Sequence, residues 1–256
     1  MKVTIITVTH NSAAFLEDCI QSIIAQDYAD IEHIVVDANS TDGTLDILKK
    51  YDNHIAHWVS ESDKGMYDAI NKGMALATGS VIGLLNSDDK LASAGVITDI
   101  VDCFKTKQVD AVYGDLVYVE QSNTNSIIRY WRGTSFKRFR FNYGWMPAHP
   151  TFYVRTSLVK ELGGYQMHYF TAADYEFMTR YLYHFRVNAY YLPKLIVRMR
   201  TGGQSNVTLS NRIRANRRDY LAMKQNRIPF PFAVSILKPL IKLHQYYYSV
   251  FGKLIN

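Results

Sequence analysis

Residues 3–8 form a run of β-branched apolar residues, the composition of a strand covered on both faces. Phe15, Leu16, Cys19, Ile20, Ile23 and Ile24 then recur at helical spacing, with Ser12 as a candidate cap. Residues 31–36 predict a second buried strand, ending in the turn-forming cluster 37–43. Thr41 or Asp42 then opens a helix running to about Lys50. A short strand is predicted over 57–60, a polar loop over 61–65, and a helix over 67–77 that Gly79 stops. Residues 80–85 predict another apolar strand, ending at Asn86-Ser87-Asp88-Asp89, and 93–105 a further helix.

This alternation predicts βαβ units and an α/β fold with a mixed, mostly parallel sheet flanked by helices. Polar clusters follow three strand ends, at 37–43, 61–65 and 86–89. In open α/β sheets that edge binds ligands, so three acid-bearing loops are expected to converge on one crevice. The second half reads differently: a strand or hairpin arm over 110–120 with a partner at 127–131, and a basic, aromatic stretch at 135–145. It continues with a strand over 151–154, a helix over 156–162 stopped by Gly163-Gly164, and a helix over 172–183 opened near Asp174.

Composition narrows the class. The chain has 256 residues, 48% hydrophobic and 20% charged, which excludes a disordered or collagen-like protein and is long enough to fold without staples. Cys19 and Cys103 are too few for a disulfide framework and favour a reducing compartment. No leader and no apolar run of about 20 residues stands out, so a cytosolic chain is expected. The net charge of +6 is unevenly spread: from residue 193 onward 12 Lys and Arg face only Asp219, giving +11 and leaving −5 for residues 1–192. A basic tail on an acidic body implies an anionic partner, whether phospholipid, diphosphate substrate or nucleic acid. For nucleic acid no recognition motif accompanies the charge. The globular pattern gives way near 206–211, which divides the chain into a globular domain over 1–206 (halves 1–105 and 106–206) and a basic extension over 207–256.

Taken singly, the acidic loops are ambiguous. Asp88 and Asp89 suit Mg²⁺ or Mn²⁺ shared with a diphosphate, but also read as an acidic helix start. Asp37 with Asn39 and Ser40, and Asp63-Lys64-Gly65, also read as plain turns. Their joint order is more specific. Thr9-His10-Asn11, the stretches 35–44 and 61–73, Ala77-Thr78-Gly79 and Leu85 to Asp89 together resemble family 2 glycosyltransferases. Matching features follow at Gly114-Asp115, His149-Pro150-Thr151, Asp174-Tyr175-Glu176 and Gly202-Gly203-Gln204-Ser205, so the resemblance covers about 1–205.

The resemblance implies a GT-A fold, a nucleotide-sugar donor (a UDP-sugar by family habit) and inverting transfer. It places Thr9, Asn11 and Asn39 beside the nucleotide and Asp37 on its base, with Asp63 and Lys64 along the base and diphosphate. It puts Asn86 and Asp88 near the ribose or sugar, Asp89 with Asp88 on the metal, and Asp174 in the position of the base. Many members carry Asp where this chain has Asn86, which leaves a less charged ligand set. The residue types fit the chemistry. An Asp, with an unperturbed pKa near 4, is ionised at pH 7 and can accept a proton from a hydroxyl. A glycosidase would need two carboxylates flanking the bond, one of them protonated.

Other positions stay open between two readings. His149 is an acceptor or sugar contact or a packed histidine. Asp115 faces the sugar or closes a turn, Trp145 and Tyr143 stack on a sugar or fill the core, and Gln204-Ser205 offers N–H groups to the diphosphate or is a turn. In the tail, Val234, Leu237, Ile241, His244, Tyr248 and Phe251 recur at spacings of three and four. Lys238, Lys242 and Gln245 lie opposite, and Pro239 is expected to break or kink the helix. Such a segment lies on an anionic membrane or packs on the body. Membrane contact, with the family resemblance, would put the chain on the inner face of a bacterial plasma membrane, extending a lipid-linked glycan. A sugar nucleotidyltransferase and a non-catalytic anion- or membrane-binding module are the alternatives.

Overall fold

The computed structural model describes residues 1–202 and 209–241, the side chains of 209–214 and 239–241 excepted. Strand β1 (Val3–Thr9) leads through helix α1 (Leu16–Ile24) to β2 (Ile31–Asp37), then α2 (Thr44–Lys50), β3 (His57–Ser60), α3 (Met66–Leu76) and β4 (Val81–Leu84). These are the βαβ units the alternation predicts. A short β5 (Lys90–Leu91), α4 (Val96–Thr106), β6 (Ala111–Val119) and β7 (Ile127–Trp131) follow. The rest comprises β8 (Tyr153–Arg155), α5 (Thr156–Leu162), α6 (Ala173–Met178), β9 (Ala189–Arg200), α7 (Leu209–Gln225) and α8 (Pro231–Ile241).

The strands make one sheet in the order β3-β2-β1-β4-β8-β6-β9-β5, with β7 paired to β6. β1 to β4 run parallel, and β6 and β9 share their direction because antiparallel β8 lies between β4 and β6. β5 and β7 run the opposite way. Period-two alternation drives the layering. Val3 and Ile5 of β1 enter a cluster with Val96, Ile100 and Phe104 of α4, whereas Ile6 packs on the other face with Ala69, Ile70 and Met74 of α3. Both faces of the sheet are therefore buried. At Gly83 of β4 the Tyr153 ring of β8 occupies the space a Cβ would need, so only glycine allows that close pairing.

Several local expectations change. Ser12 does not cap α1 with its side chain; its backbone carbonyl accepts from Phe15 and Leu16 while its hydroxyl pairs with Ser87. The helix expected over 172–183 is α-helical only to Met178 and continues as widened π turns over Thr179–His184. β5 and β9 escape a reading by strand patterns. β5 has two residues, and β9 mixes Lys194, Arg198 and Arg200 with its apolar positions because it lies near the sheet edge.

The described part of the tail packs on the body. Ala222, Met223, Ile228 and Val234 join the core cluster of Phe141, Tyr175 and Phe177. The expected apolar face of α8 is rotated: Val234, Ser235 and Lys238 are buried, while Ile236 and Leu237 are exposed, and the helix runs through Pro239. Lys238 tolerates burial because its ammonium pairs with Asp219 at 2.7 Å and lies 3.5 Å from the Tyr175 ring centroid. His244, Tyr248, Phe251, Lys242 and Gln245 lie outside the described residues.

His33 in β2 is buried, with Nε2 3.0 Å from the Thr7 hydroxyl. Burial pulls its imidazole down to about 3. The folded state thus refuses a proton that the unfolded state takes below about pH 6.5, so stability is intact above that pH and falls as pH drops toward the folded value. We expect His33 to contribute a loss of up to about 1.4 kcal/mol per pH unit in this window. His33→Gln should flatten the dependence of the thermal midpoint on pH between 6.5 and 4.5, and an unchanged slope would refute the assignment.

Candidate active site

The site is built at the C-terminal edge of β1 to β4. Register pairs Thr9 with Asp37 and Asp37 with Ser60, so three strands end side by side. Leu85 donates to the Ile6 carbonyl, which brings the Asn86–Asp89 loop to the same edge. The loops then lock together. Asn11 N–H donates to Ser40 Oγ at 2.8 Å, Thr41 N–H to Asn11 Oδ1 at 2.9 Å, and the Ser12 and Ser87 hydroxyls lie 2.9 Å apart. Asn11 (φ 48°) and Asn39 (φ 52°) occupy the left-handed region, which Asn tolerates better than most residues.

Asp37 is fully buried. Its carboxylate accepts from Ser40 N–H at 3.0 Å, from Ser40 Oγ at 2.5 Å and from Ser60 Oγ at 2.6 Å. It thereby ties the loop after β2 to the end of β3, and its carbonyl accepts from Glu61 N–H. Asp63 is partly exposed and receives Gly65 N–H at 2.8 Å, while Lys64 is exposed. Gly65, at φ 112°, makes the turn into α3.

The acid pair is less symmetric than its sequence suggests. Asp89 is fully buried, with Oδ2 accepting from Asn86 Nδ2 at 2.9 Å and Oδ1 from the Arg200 N–H at 3.2 Å. Burial, and then the adjacent Asp88 carboxylate, push its carboxyl well above the usual range; Asn86 and Arg200 offset this only in part. Asp88 is half-buried and is also raised by burial. Such a pair is short of positive charge, and adjacent hard oxygens suit Mg²⁺ or Mn²⁺ that keeps other ligands from phosphates. No group of three or more His, Cys, Asp or Glu among the described residues could hold a metal, so the donor's oxygens must complete any such shell. The residues fit a shared ion, not a closed protein cage.

Arg200, which sequence patterning passes over, fastens this corner. Its guanidinium donates to the Asp88 carbonyl at 2.7 Å and to Asp18 at 2.5 Å, and lies 5.0 Å from the Phe15 ring centroid. No local signal marks it, because its partners come from three distant segments.

The second half brings Asp174 to the same edge. β8 runs antiparallel to β4, so the turn His149–Thr151 before it lies at the end where β4 finishes. His149 Nδ1 is 3.6 Å from Asp174 Oδ2 at the start of α6. Burial pulls His149 below the usual imidazole range, and Asp174 opposes that shift. Asp174 also lies against Tyr67, two residues past Gly65; burial and then Asp174 push that phenol well above its usual range. A partly exposed carboxylate thus stands between the loop after β3 and the turn before β8. Behind it, buried Glu176 and Arg180 pair at 2.9 Å, and Arg180 fastens the carbonyls of Gly163 and Gly164.

Asp115 lies inside β6 and accepts from Tyr130 Oη and Tyr191 Oη, each at 2.8 Å, and from Gly133 N–H at 2.7 Å, so its carboxylate ties β6 to β7 and β9 and closes no turn. Trp145 packs edge-on against Phe141 and Tyr113, whereas Tyr143 is exposed. Gln204 and Ser205 lie outside the described residues.

Residues 4–163 match the family model described as Glycosyl transferase family 2. A PGL/p-HBAD biosynthesis glycosyltransferase of Mycobacterium bovis (strain BCG / Pasteur 1173P2) is 33% identical over 181 residues, covering 69% of this chain and 68% of that protein. An uncharacterized glycosyltransferase of Mycobacterium tuberculosis (strain CDC 1551 / Oshkosh) is 32% identical over 184 residues, covering 70% and 68%. Among solved structures, S. aureus TarS 1-349 in complex with UDP-GlcNAc aligns with a TM-score of 0.66 at 17% identity, covering 98% of this chain and 73% of that one. The chain spans 39% of a longer TarS chain. The mannosyltransferase PcManGT of Pyrobaculum calidifontis, in complex with GDP-Man and Mn²⁺, aligns at 0.65 and 18% identity, covering 99% and 75%.

Proposed function

The chain belongs to glycosyl transferase family 2, has the GT-A fold and is a glycosyltransferase of glycan biosynthesis; from that premise we propose that it works by inversion, with Asp174 as the base and a nucleotide-sugar as donor. The observation that carries this reading is the meeting, at one sheet edge, of the 10–13, 37–44, 61–65 and 86–89 loops with Asp174 and its neighbour His149.

In this reading Thr9, Asn11, Asn39, Asp63 and Lys64 border the nucleotide. Asp37 acts from below by holding Ser40 and Ser60, and Asn86 and Asp88 face the sugar. Asp174 takes the acceptor hydroxyl's proton as the oxygen attacks the anomeric carbon, and the bond to the diphosphate breaks on the opposite face. Gln204 and Ser205 remain proposed diphosphate contacts. A Mn²⁺ or Mg²⁺ ion held by Asp88 and Asp89 would neutralise charge on the departing phosphates. Burial disfavours a proton on His149, so the imidazole is a poor proton carrier beside Asp174.

A thermal-shift panel of nucleoside diphosphates with and without Mn²⁺ tests donor binding, because a ligand of the folded state raises the midpoint by mass action. UDP is expected to give the largest shift. Release of pyrophosphate in place of nucleoside diphosphate during turnover would make the chain a nucleotidyltransferase and defeat the proposal.

The acceptor is proposed to be lipid-linked, with the protein peripheral on the inner face of the plasma membrane. No helix among the described residues is long and apolar enough to cross a membrane. Support comes from the turn between α7 and α8, where Phe230 is 82% and Phe232 70% exposed beside exposed Arg227. Because α7 and α8 carry core residues, point changes test this better than truncation. Phe230→Ser with Phe232→Ser should lower cosedimentation with phosphatidylglycerol vesicles at an unchanged thermal midpoint; full retention would remove this turn from the membrane contact.

A further inference from the structure

A groove of about 410 Å³ lies between the segment Met167–Ala172 and α7, lined by His168, Tyr169, Arg218, Leu221, Lys224 and Gln225. Its volume is within the usual range of small-molecule sites. Its chemistry is mixed. Arg218 and Lys224 supply cations, and no carboxylate among the described residues pairs with either, because Asp219 is turned to Lys238. The apolar side is left open: Leu221 is 44% and Phe170 58% exposed, and the Arg218 guanidinium lies 4.2 Å from the Phe170 ring centroid.

A second observation is independent of charge. Phe170 sits at φ 47° and ψ −121°, a conformation costly for a bulky residue, and its exposed ring lies against the guanidinium of Arg218, which lines the groove. The same segment leads into Asp174. The proposed base lies only six positions beyond His168, so the groove is within about 20 Å of it even for a fully extended chain.

We propose that this groove binds the phosphorylated head of a lipid chain, the anionic and apolar end of the acceptor, with Arg218 and Lys224 on the phosphate and Phe170 and Leu221 along the first carbons. Arg offers a planar fork to phosphate oxygens and Lys a point charge, and neither has to give up an existing ion pair. The proposal rests on the reading of the acceptor as lipid-linked. It adds the place where that lipid is held, against α7 and apart from the loops proposed for the diphosphate.

The test uses the full chain and dodecyl phosphate below its micelle concentration, with binding read by calorimetry and no turnover required. Dodecyl phosphate should bind at least tenfold more tightly than inorganic phosphate. Arg218→Gln with Lys224→Gln should weaken it at least tenfold, and Leu221→Ser should weaken it while leaving inorganic phosphate unaffected. UDP binding and the thermal midpoint of each variant should match the parent, which shows that the fold and donor site persist. Equal binding by parent and double variant overturns the proposal. So does loss of phosphatidylglycerol vesicle binding in the double variant when the parent shows no affinity for dodecyl phosphate, since these cations would then serve the bulk membrane surface. If dodecyl phosphate fails to bind while a lipid-linked acceptor is still turned over, the groove assignment falls and the acceptor reading stands. If it binds as expected and only water-soluble acceptors are used, the acceptor reading falls instead.

Discussion

Asp174→Asn is expected to lower kcat by about 10²- to 10⁴-fold, the range that a positioned general base contributes. Asn keeps the shape of the side chain and can still accept the Tyr175 N–H that Oδ1 accepts at 2.7 Å, so α6 should start as before. Donor affinity should therefore be unchanged, and UDP with Mn²⁺ should shift the thermal midpoint of the variant as it does the parent. That split separates a base from a residue that merely shapes the pocket. Turnover within threefold of the parent would show that another group takes the proton. His149→Ala is a useful companion: with no imidazole 3.6 Å from the carboxylate to position it, kcat should fall while the donor-induced shift stays.

Asp89→Asn should have opposite effects on stability and activity. The carboxylate is fully buried, beside a second acid, and burial pushes its carboxyl well above the usual range. Removing a buried charge that sits beside a second acid and that Arg200 offsets only in part should raise the thermal midpoint, whereas losing a mere helix start or cap would lower it. The same change removes the charge with which Asp89 would hold a shared cation, so Mn²⁺-dependent UDP binding should be lost and kcat/KM should fall by about 10²- to 10³-fold, a size typical of deleting one electrostatic contact to developing charge. Differential scanning fluorimetry with and without Mn²⁺ and UDP measures both effects. A variant that is less stable yet still binds UDP with Mn²⁺ would return Asp89 to a purely structural role.

Legibility followed the range of the interactions concerned. The parallel half was readable because each unit is local: a β-branched run, a polar cluster and a periodic helix within about 30 residues. The loops at 37–43, 61–65 and 86–89 were readable for the same reason, since each directly follows its strand. Arg200 was not. It earns its place through Asp18, Phe15, Asp88 and Asp89, more than 100 residues away, and through the Gln121 carbonyl, and its own strand alternates too weakly to be noticed. Asp115 was likewise undecided until Tyr130, Gly133 and Tyr191 came to it from other strands.

The tail shows the limit most directly. Spacing alone assigned Lys238 to the outer side of α8, and charge is ordinarily reason enough. Asp219 and the Tyr175 ring reverse that assignment, turning Lys238 inward and leaving Ile236 and Leu237 to solvent. An amphipathic pattern states how a helix is divided, not which partner waits beneath it.

By themselves, then, the residues in order determined the βαβ alternation, the strand ends that carry the acids and the family to which those motifs point, because all of these depend on neighbours in the chain. Only the tertiary structure decided that Asp37 is buried, that Asp174 stands beside His149 and Tyr67, and that the described part of the basic tail packs on the core with a cationic groove along one side. Those outcomes depend on burial and on partners distant in sequence, whose energies exist only once the sheet has brought them together.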